Sequence, residues 1–463
     1  MSAHGGGGLP FLATVEDTLH RLHEKQGVHI PIYPIIGLFA LAVVVFLVFE
    51  PGQTSRNFEL VLFLSPAWLP LLIGRVAWQQ WVKTRRYEYN VNQKHVLLEL
   101  RIPRETRKSP LAMETFLTNI HLTPGEGTWY KKWWQGRTRP WFSLELVSIG
   151  GRVHFYIWTR KEFQHVIETY LYAQYPGIEV IEAADYTRLI DPLHPPYLMW
   201  GCEYKKKAPD PFPINTYVTF GLDKMPQAKP EEVTDPIANV IEFMGSLSPQ
   251  EQLWVHIMIR YSKGEKYGKY KDDGKRYTWK DEAKELIEKI RKETMRKMTY
   301  VDPVSGDLKE SEGFPNPTKG QMEGIAAVER NVDKLCYDVG MRAVYVSQEG
   351  HFRPYIGNFV TQLFRPFSSS DQQIEPNSML WSESFNDFPW EDPNKVHYNH
   401  LMHELLEYAR RRAYFHYPYE GPYMQMSTEE LASIYHIPSS TVSAPNLPRI
   451  QSSTRESPSN LPT

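Results

Sequence analysis

The sequence predicts an α+β protein: an N-terminal transmembrane helical hairpin followed by tandem ferredoxin-like (βαββαβ) modules, the second with a helical insertion. Three observations predict it. Two apolar stretches lie near the front of an otherwise mixed chain. Strand-period and helix-period segments follow the order β-α-β-β-α-β between residues 90 and 190. A diverged echo of that order recurs between 195 and 366.

The first apolar stretch, Ile30 to Phe49 (IPIYPIIGLFALAVVVFLVF), carries no charge. At ~1.5 Å per residue it spans ~30 Å, the hydrocarbon thickness of a bilayer. The second, Phe58 to Trp78, holds Glu59 and Arg75 near its ends and Pro66 and Pro70 inside. Membrane helices tolerate both, because neighbours re-satisfy the proline gap and arginine snorkels. Glu50 to Asn57, with Pro51 and Gly52, reads as the link, which makes 30–82 a hairpin. A cleaved signal peptide fits poorly, since the run starts too far in and a second run follows. Arg21 and Lys25 precede the first run, Lys83, Arg85 and Arg86 follow the second, and the link holds only Arg56. The positive-inside rule then puts the bulk of the chain in the cytoplasm, on the inner membrane. Trp68, Trp78 and Trp81, with Arg85 and Arg86, are candidate interface anchors. Residues 1–29 open on Gly5 to Gly8 and carry Leu12, Val15, Leu19 and Leu22 at helical spacing, an amphipathic segment.

Lys+Arg number 52 against 54 Asp+Glu, which argues against a polycationic nucleic-acid binder but leaves room for a local basic patch. Aromatics at 13% supply a core and exclude wholesale disorder. Cys202 and Cys336 are the only cysteines, so a disulfide framework and a Cys-rich zinc site are excluded, in keeping with a reducing compartment.

In the first module (90–190), KHVLLELRI (94–102) alternates as a strand and Ser109-Pro110 opens a helix. WFSLELVSI (141–149) and RVHFYIW (152–158) form a hairpin over Gly150-Gly151. A helix over 161–175 and a strand over 178–183 complete it. In the second module (195–366), strands are expected near 198–205 and 216–222, a helix opened by Asp235-Pro236, a strand over 252–261, a helix over about 319–339 and a strand over 342–346. The insertion, 263–300, is basic and its WKDEAKELIEKIRKETMRK stretch has Glu–Lys pairs at i,i+4, the mark of an exposed helix. The segment 367–437 reads as irregular to Pro393, then helical over 395–412, compact and aromatic over 414–423, and helical again from the capping box Ser427 to Glu430. From Pro438 the Ser/Pro/Asn composition predicts a disordered tail to 463.

The chain holds no G-x-x-x-x-G-K-[ST], G-x-S-x-G, H-E-x-x-H or kinase signature. No catalytic, cofactor or metal site is therefore expected; His397, His400 and His403, with Glu404, drift off one helix face and read as surface or packing residues. One other constellation stands out, WYKKWWQGRTRPW (129–141). Trp129, Trp133 and Trp134 interleave with Lys131, Lys132, Arg137 and Arg139. Such a segment suits stacking of single-stranded bases, contact with anionic headgroups, or simple packing of a loop.

Three regions, LLELRIPRETRKSPLAMETFL (97–117), RPWFSLELVSIGGRVHFYIWT (139–159) with YLYAQYPGIEVIEAADY (170–186), and MSTEELASIYHIP (426–438), resemble the N-terminal membrane-anchored part of type IV secretion, conjugative DNA-transfer coupling proteins. The resemblance covers most of 85–463. It implies a non-enzymatic membrane component, a possible homo-oligomer, serving a DNA or protein translocation apparatus. In fused relatives a RecA-like ATPase follows this region. No Walker residue is present here, so the resemblance implies a separately encoded ATPase partner. The alternative is a membrane-tethered protein that binds the transferred single strand itself.

Overall fold

The computed structural model describes residues 51–104, 106, 108–122, 127–190, 197–224, 234–271, 275–301, 308–315, 317–369, 371–381, 396–439 and 447–450. The chain divides into two units, up to Arg86 and from Tyr87 onward.

In the first unit, α1 runs Pro51–Val91 with Pro66 and Pro70 inside it, its last turn belonging to the second unit. The link expected over Glu50 to Asn57 is helical over Pro51 to Asn57. Residues 1–50, and with them the first apolar stretch, lie outside the described residues. Among the described residues no helix is long and apolar enough to cross a membrane. The expected hairpin thus has no counterpart among them. Phe63, Ile73, Val76 and Trp78 of α1 are exposed.

The second unit is organised by one large, mainly antiparallel sheet. Its first module supplies β1 (His95–Pro103), α2 (Leu111–Asn119), β2 (Trp141–Ile149), β3 (Arg152–Arg160), α3 (Gln164–Gln174) and β4 (Glu179–Ala183). The second supplies β5 (Tyr197–Lys206), α4 (Ile237–Gly245) and β6 (Glu251–Tyr261). An arm follows, with β7 (Glu265–Tyr270), β8 (Arg276–Thr278), α5 (Trp279–Glu293), β9 (Met295–Val301), β10 (Leu308–Pro315) and α6 (Lys319–Asp333). Then come β11 (Cys336–Gln348), α7 (Tyr355–Thr361) and β12 (Ile374–Trp381). The remainder is α8 (Val396–Arg410), the short pair β13 (Phe415–His416) and β14 (Tyr419–Glu420), β15 (Met424–Ser427), α9 (Thr428–Ile434) and β16 (Arg449–Ile450).

Neighbouring strands run β12-β5-β11-β6-β2-β3-β1-β4, each antiparallel to the next. Numbered within its own half, each half has the order 4-1-3-2, and the halves join strand 2 to strand 2, from Trp141 opposite Arg260 to Ile149 opposite Gln252. The order across the sheet is a palindrome. The matching helix entries share a device: Ser109 Oγ accepts from the Leu111 N–H (3.3 Å) and Asp235 Oδ1 from the Ile237 N–H (3.1 Å), satisfying a donor that has no intrahelical partner.

The structure departs from the sequence reading in five further places. The helix expected over about 319–339 ends at Asp333, and β11 takes up the chain from Cys336. Residues 216–222 form turns rather than a strand, tied to the helix beyond by the Tyr217 N–H donating to Ser433 Oγ (2.8 Å). The stretch expected to be irregular contains β12, whose pairing with β5 shifts register between Pro376 and Leu380, the kind of edge position that accepts proline. The insertion extends from Ser262 to Leu335, replaces the Gly150-Gly151 turn of the first module, and builds a small core from Ala283, Ile287 and Val328 against Phe212, Ile325 and Val332. The tail expected to be disordered is ordered in part: Leu447 is buried and β16 pairs in parallel with Ile102 and Pro103.

Alternation along the strands feeds two cores. Leu98, Leu100, Leu144, Leu146, Val255 and Ile257 face α2, α3, α4, α7 and α9. Leu97, Val147, Trp158, Trp254 and Val344 face α8 and the aromatic segment after it. On this second side Gly340 faces Tyr414, and an added Cβ would lie 2.2 Å from the ring. Gly340→Ala is expected to cost at least ~1–3 kcal/mol, the range for overpacking a rigid core, read as a fall in thermal midpoint.

Candidate functional site

The aromatic–basic segment 129–141 lies at one end of the sheet. Tyr130–Trp134 is a π-helical turn, closed when the Gln135 N–H donates to the Tyr130 carbonyl (3.1 Å) and the Arg137 N–H to the Lys131 carbonyl (2.9 Å). Gly136 follows with φ 68°, a left-handed angle that glycine adopts without strain. Trp129, Tyr130 and Trp134 are 64%, 53% and 49% exposed, and Tyr130 and Trp134 lie nearly parallel, centroids 6.5 Å apart. Lys131 is exposed, while Lys132 sits over the half-buried Trp133 (5.6 Å). The far side of the segment turns inward. Thr138 Oγ1 donates to Asn90 Oδ1 (2.6 Å) and accepts from Arg160 (3.2 Å), and Trp141 is buried, its indole N–H on the Arg412 carbonyl (3.1 Å). Arg137 and Arg139 are half-buried, and Arg139 reaches the Tyr261 carbonyl at 3.5 Å.

Among the candidate anchors on α1, Trp78 and Trp81 stack at 5.2 Å and Arg85 lies over Trp81 at 5.4 Å. Arg86 is half-buried, and the Trp68 side chain lies outside the described residues. His400 is exposed and lies 3.4 Å from Glu404; among the described residues no group of His, Cys, Asp and Glu is placed to hold a metal ion.

The structure adds a second constellation, a polar row across the α8-facing side of the sheet. Cross-strand register lines up Glu203, Arg342, His256, Glu145, Tyr156 and Glu99 on β5, β11, β6, β2, β3 and β1. Arg412, just past the end of α8, closes over it. Its guanidinium grips Glu145 (2.9 and 3.2 Å) and Asp185 (2.7 and 3.1 Å) in two forks. To reach them Arg412 takes φ 46°, the one positive φ outside glycine among the described residues. Tyr186 donates to Glu145 (2.7 Å) and meets His256 Nε2 (2.7 Å), an order that puts the imidazole proton on Nε2. Arg342 binds Glu203 (2.8 Å) and the Ala413 carbonyl (3.1 Å), enclosed by Tyr408, Tyr414 and Tyr419 at 5.9, 5.7 and 4.9 Å.

Burial works to raise the carboxyls of Glu145 and Asp185, but the Arg412 guanidinium, together with hydrogen bonds from Tyr186 and Thr187, holds both below their ordinary range. Burial pushes Glu203 up, and Arg342 offsets this only in part. Burial lowers His256 to about 4, with Arg412 and Arg342 adding to the fall, so it is neutral at pH 7. The middle of the row is closed to solvent, with Glu145, His256, Arg342, Glu203 and Arg412 all at 0% exposure, while Glu99 at its end is half-buried. Chemically it is a buried ionic seam that joins the two halves of the sheet. Sequence reading passed over it because each member is a single charge inside an otherwise apolar strand; the available signal was that Glu145 and His256 occupy the same phase as Trp141 and Trp254.

Fold and site together define a mixed α+β protein built on one large antiparallel sheet, with a buried ionic seam and an exposed aromatic–basic turn. The chain belongs to the family defined by a domain of unknown function (DUF8128), whose model matches residues 84–449. No curated protein and no solved structure matches it.

Proposed function

We propose that the chain is a non-enzymatic, membrane-anchored component of a type IV secretion-like (conjugative DNA or protein transfer) apparatus, a platform that recruits a separately encoded RecA-like ATPase. One observation carries the reading. The connections at one rim of the sheet include the entry from Tyr87 to Val91 into β1, the turn 129–140 before β2, and the arm 262–335 between β6 and β11. A body tethered at this rim presents its opposite rim, at Pro103, Gly150 and Gln348, to a soluble partner. Anchoring then raises the effective concentration of the captured motor. The 4-1-3-2 order in both halves supports reading each as a ferredoxin-like module.

Full-length protein in its host membranes tests this. The chain is expected to stay in the pellet after carbonate extraction, to retain a Walker-motif ATPase in mild detergent, and to hydrolyse no nucleotide when pure. Recovery in the soluble fraction without detergent, or hydrolysis by the pure chain, overturns the proposal. Retention of single-stranded nucleic acid in place of an ATPase replaces it with the strand-binding alternative.

A further inference from the structure

We infer that the turn Trp129–Trp134 is an interfacial anchor that seats this rim of the body on an anionic lipid bilayer; the inference rests on the membrane-anchored reading above. Three large aromatic side chains stand exposed within six residues, where soluble surfaces scatter such groups singly. Tryptophan and tyrosine are the side chains that favour the headgroup layer, with an apolar ring and a polar tip. They are already ordered by the π-helical hydrogen bonds and by the Thr138–Asn90 tie, so contact costs little conformational freedom.

The charge fits an anionic surface. From Gly127 to Pro140 there is no acidic residue and there are four basic ones, Lys131, Lys132, Arg137 and Arg139. Lys94 and Lys263, exposed at the start of β1 and just past the end of β6, add to the same rim. A single strand of nucleic acid calls instead for a basic groove with successive stacking platforms. Here the exposed rings share one short turn, two of them nearly parallel at 6.5 Å, and the bilayer is the better match.

The test uses the full-length chain reconstituted into vesicles of phosphatidylcholine alone and of phosphatidylcholine with phosphatidylglycerol. Gln135→Cys, exposed at the end of the turn, carries an environment-sensitive fluorophore; Cys202 and Cys336 are buried and stay unlabelled. In phosphatidylglycerol vesicles the label is expected to shift to the blue and to be quenched by shallow spin-labelled lipid. Trp129→Ala with Trp134→Ala is expected to lose most of that quenching at an unchanged thermal midpoint. Vesicle flotation separates the two claims. Protein that floats with an unquenched label overturns the anchor and leaves the platform standing, whereas protein that fails to float overturns both. Equal quenching in both lipids overturns the anionic assignment. A response of the label to a single-stranded oligonucleotide in detergent, abolished by the double variant, with none to lipid, assigns the turn to nucleic acid instead.

Discussion

Arg412→Met is expected to destabilise the protein by ~3–5 kcal/mol, the cost of breaking a buried ion pair from one side. The methionine fills most of the space but leaves two carboxylates, Glu145 at 0% and Asp185 at 17% side-chain exposure, without the guanidinium that binds both. The loss has a pH signature. In the wild type, Glu145 and Asp185 titrate below their ordinary range, so the stability they contribute is present above about pH 4 and is lost as pH falls through their depressed values. In the variant, burial acts on Glu145 unopposed by Arg412 and its carboxyl moves up. Protonation then relieves the strain, and the gap between variant and wild type narrows as pH drops from 7 toward 4. Thermal midpoints across that range measure it. The double variant Arg412→Met with Glu145→Gln is expected to recover part of the loss at pH 7. A gap that is constant with pH would mean that Arg412 acts through packing alone.

The seam explains a feature that neither half of the sheet explains alone. Joining the two halves strand 2 to strand 2 buries the cross-strand pair Glu145–His256 in the middle of the sheet. A bare charge there would be costly, so α8 and Arg412 close over it. The tyrosines of 408–419 do the same for Arg342.

Local rules read correctly where local energetics decide. Period-2 alternation found β1, β2, β3, β4 and β6; the Gly150-Gly151 turn fixed one hairpin; and the Ser427–Glu430 capping box located α9, whose Ser427 Oγ accepts from the Glu430 N–H (3.2 Å). What escaped the sequence depends on partners distant in the chain. Strand β12 reads as a loop because Pro376 and Asn377 interrupt it, and it exists because β5 offers an edge. The hydroxyls and carboxylates of α9 suggest a surface helix, yet all seven residues are buried, with Glu429 paired to Arg330 and Thr216 and Ser433 to Tyr217. The assembly of the ionic seam escapes it for the same reason: Glu145, Asp185, His256 and Arg412 are brought together by the sheet and by the end of α8, not by proximity in the chain.

Glu430→Ala is the second large effect, because one carboxylate fastens the C-terminal segment in several ways. Oε2 accepts from the Ser427 N–H (3.0 Å) to complete the capping box, and Oε1 accepts from the Ile214 N–H (3.1 Å) and pairs with Lys206 (2.7 Å). Lys206 and Glu430 have 1% and 0% side-chain exposure, and the ammonium also donates to the Asp210 and Gln425 carbonyls. Loss of a cap alone costs ~1 kcal/mol. An unpaired buried ammonium and an orphaned amide raise the expectation to ~3–5 kcal/mol. Lys206→Met is expected to cost a similar amount, and the double variant less than the sum, since the two singles each leave the other group stranded. Because β15 pairs with Cys336–Val339 immediately before α9, amide exchange in Glu430→Ala is expected to accelerate over 424–437 ahead of β2 and β3. A cost no larger than a lost cap, with exchange rising evenly through the sheet, would show that the segment is held by its apolar contacts, Leu431, Ile434 and Tyr435, and not by the buried pair.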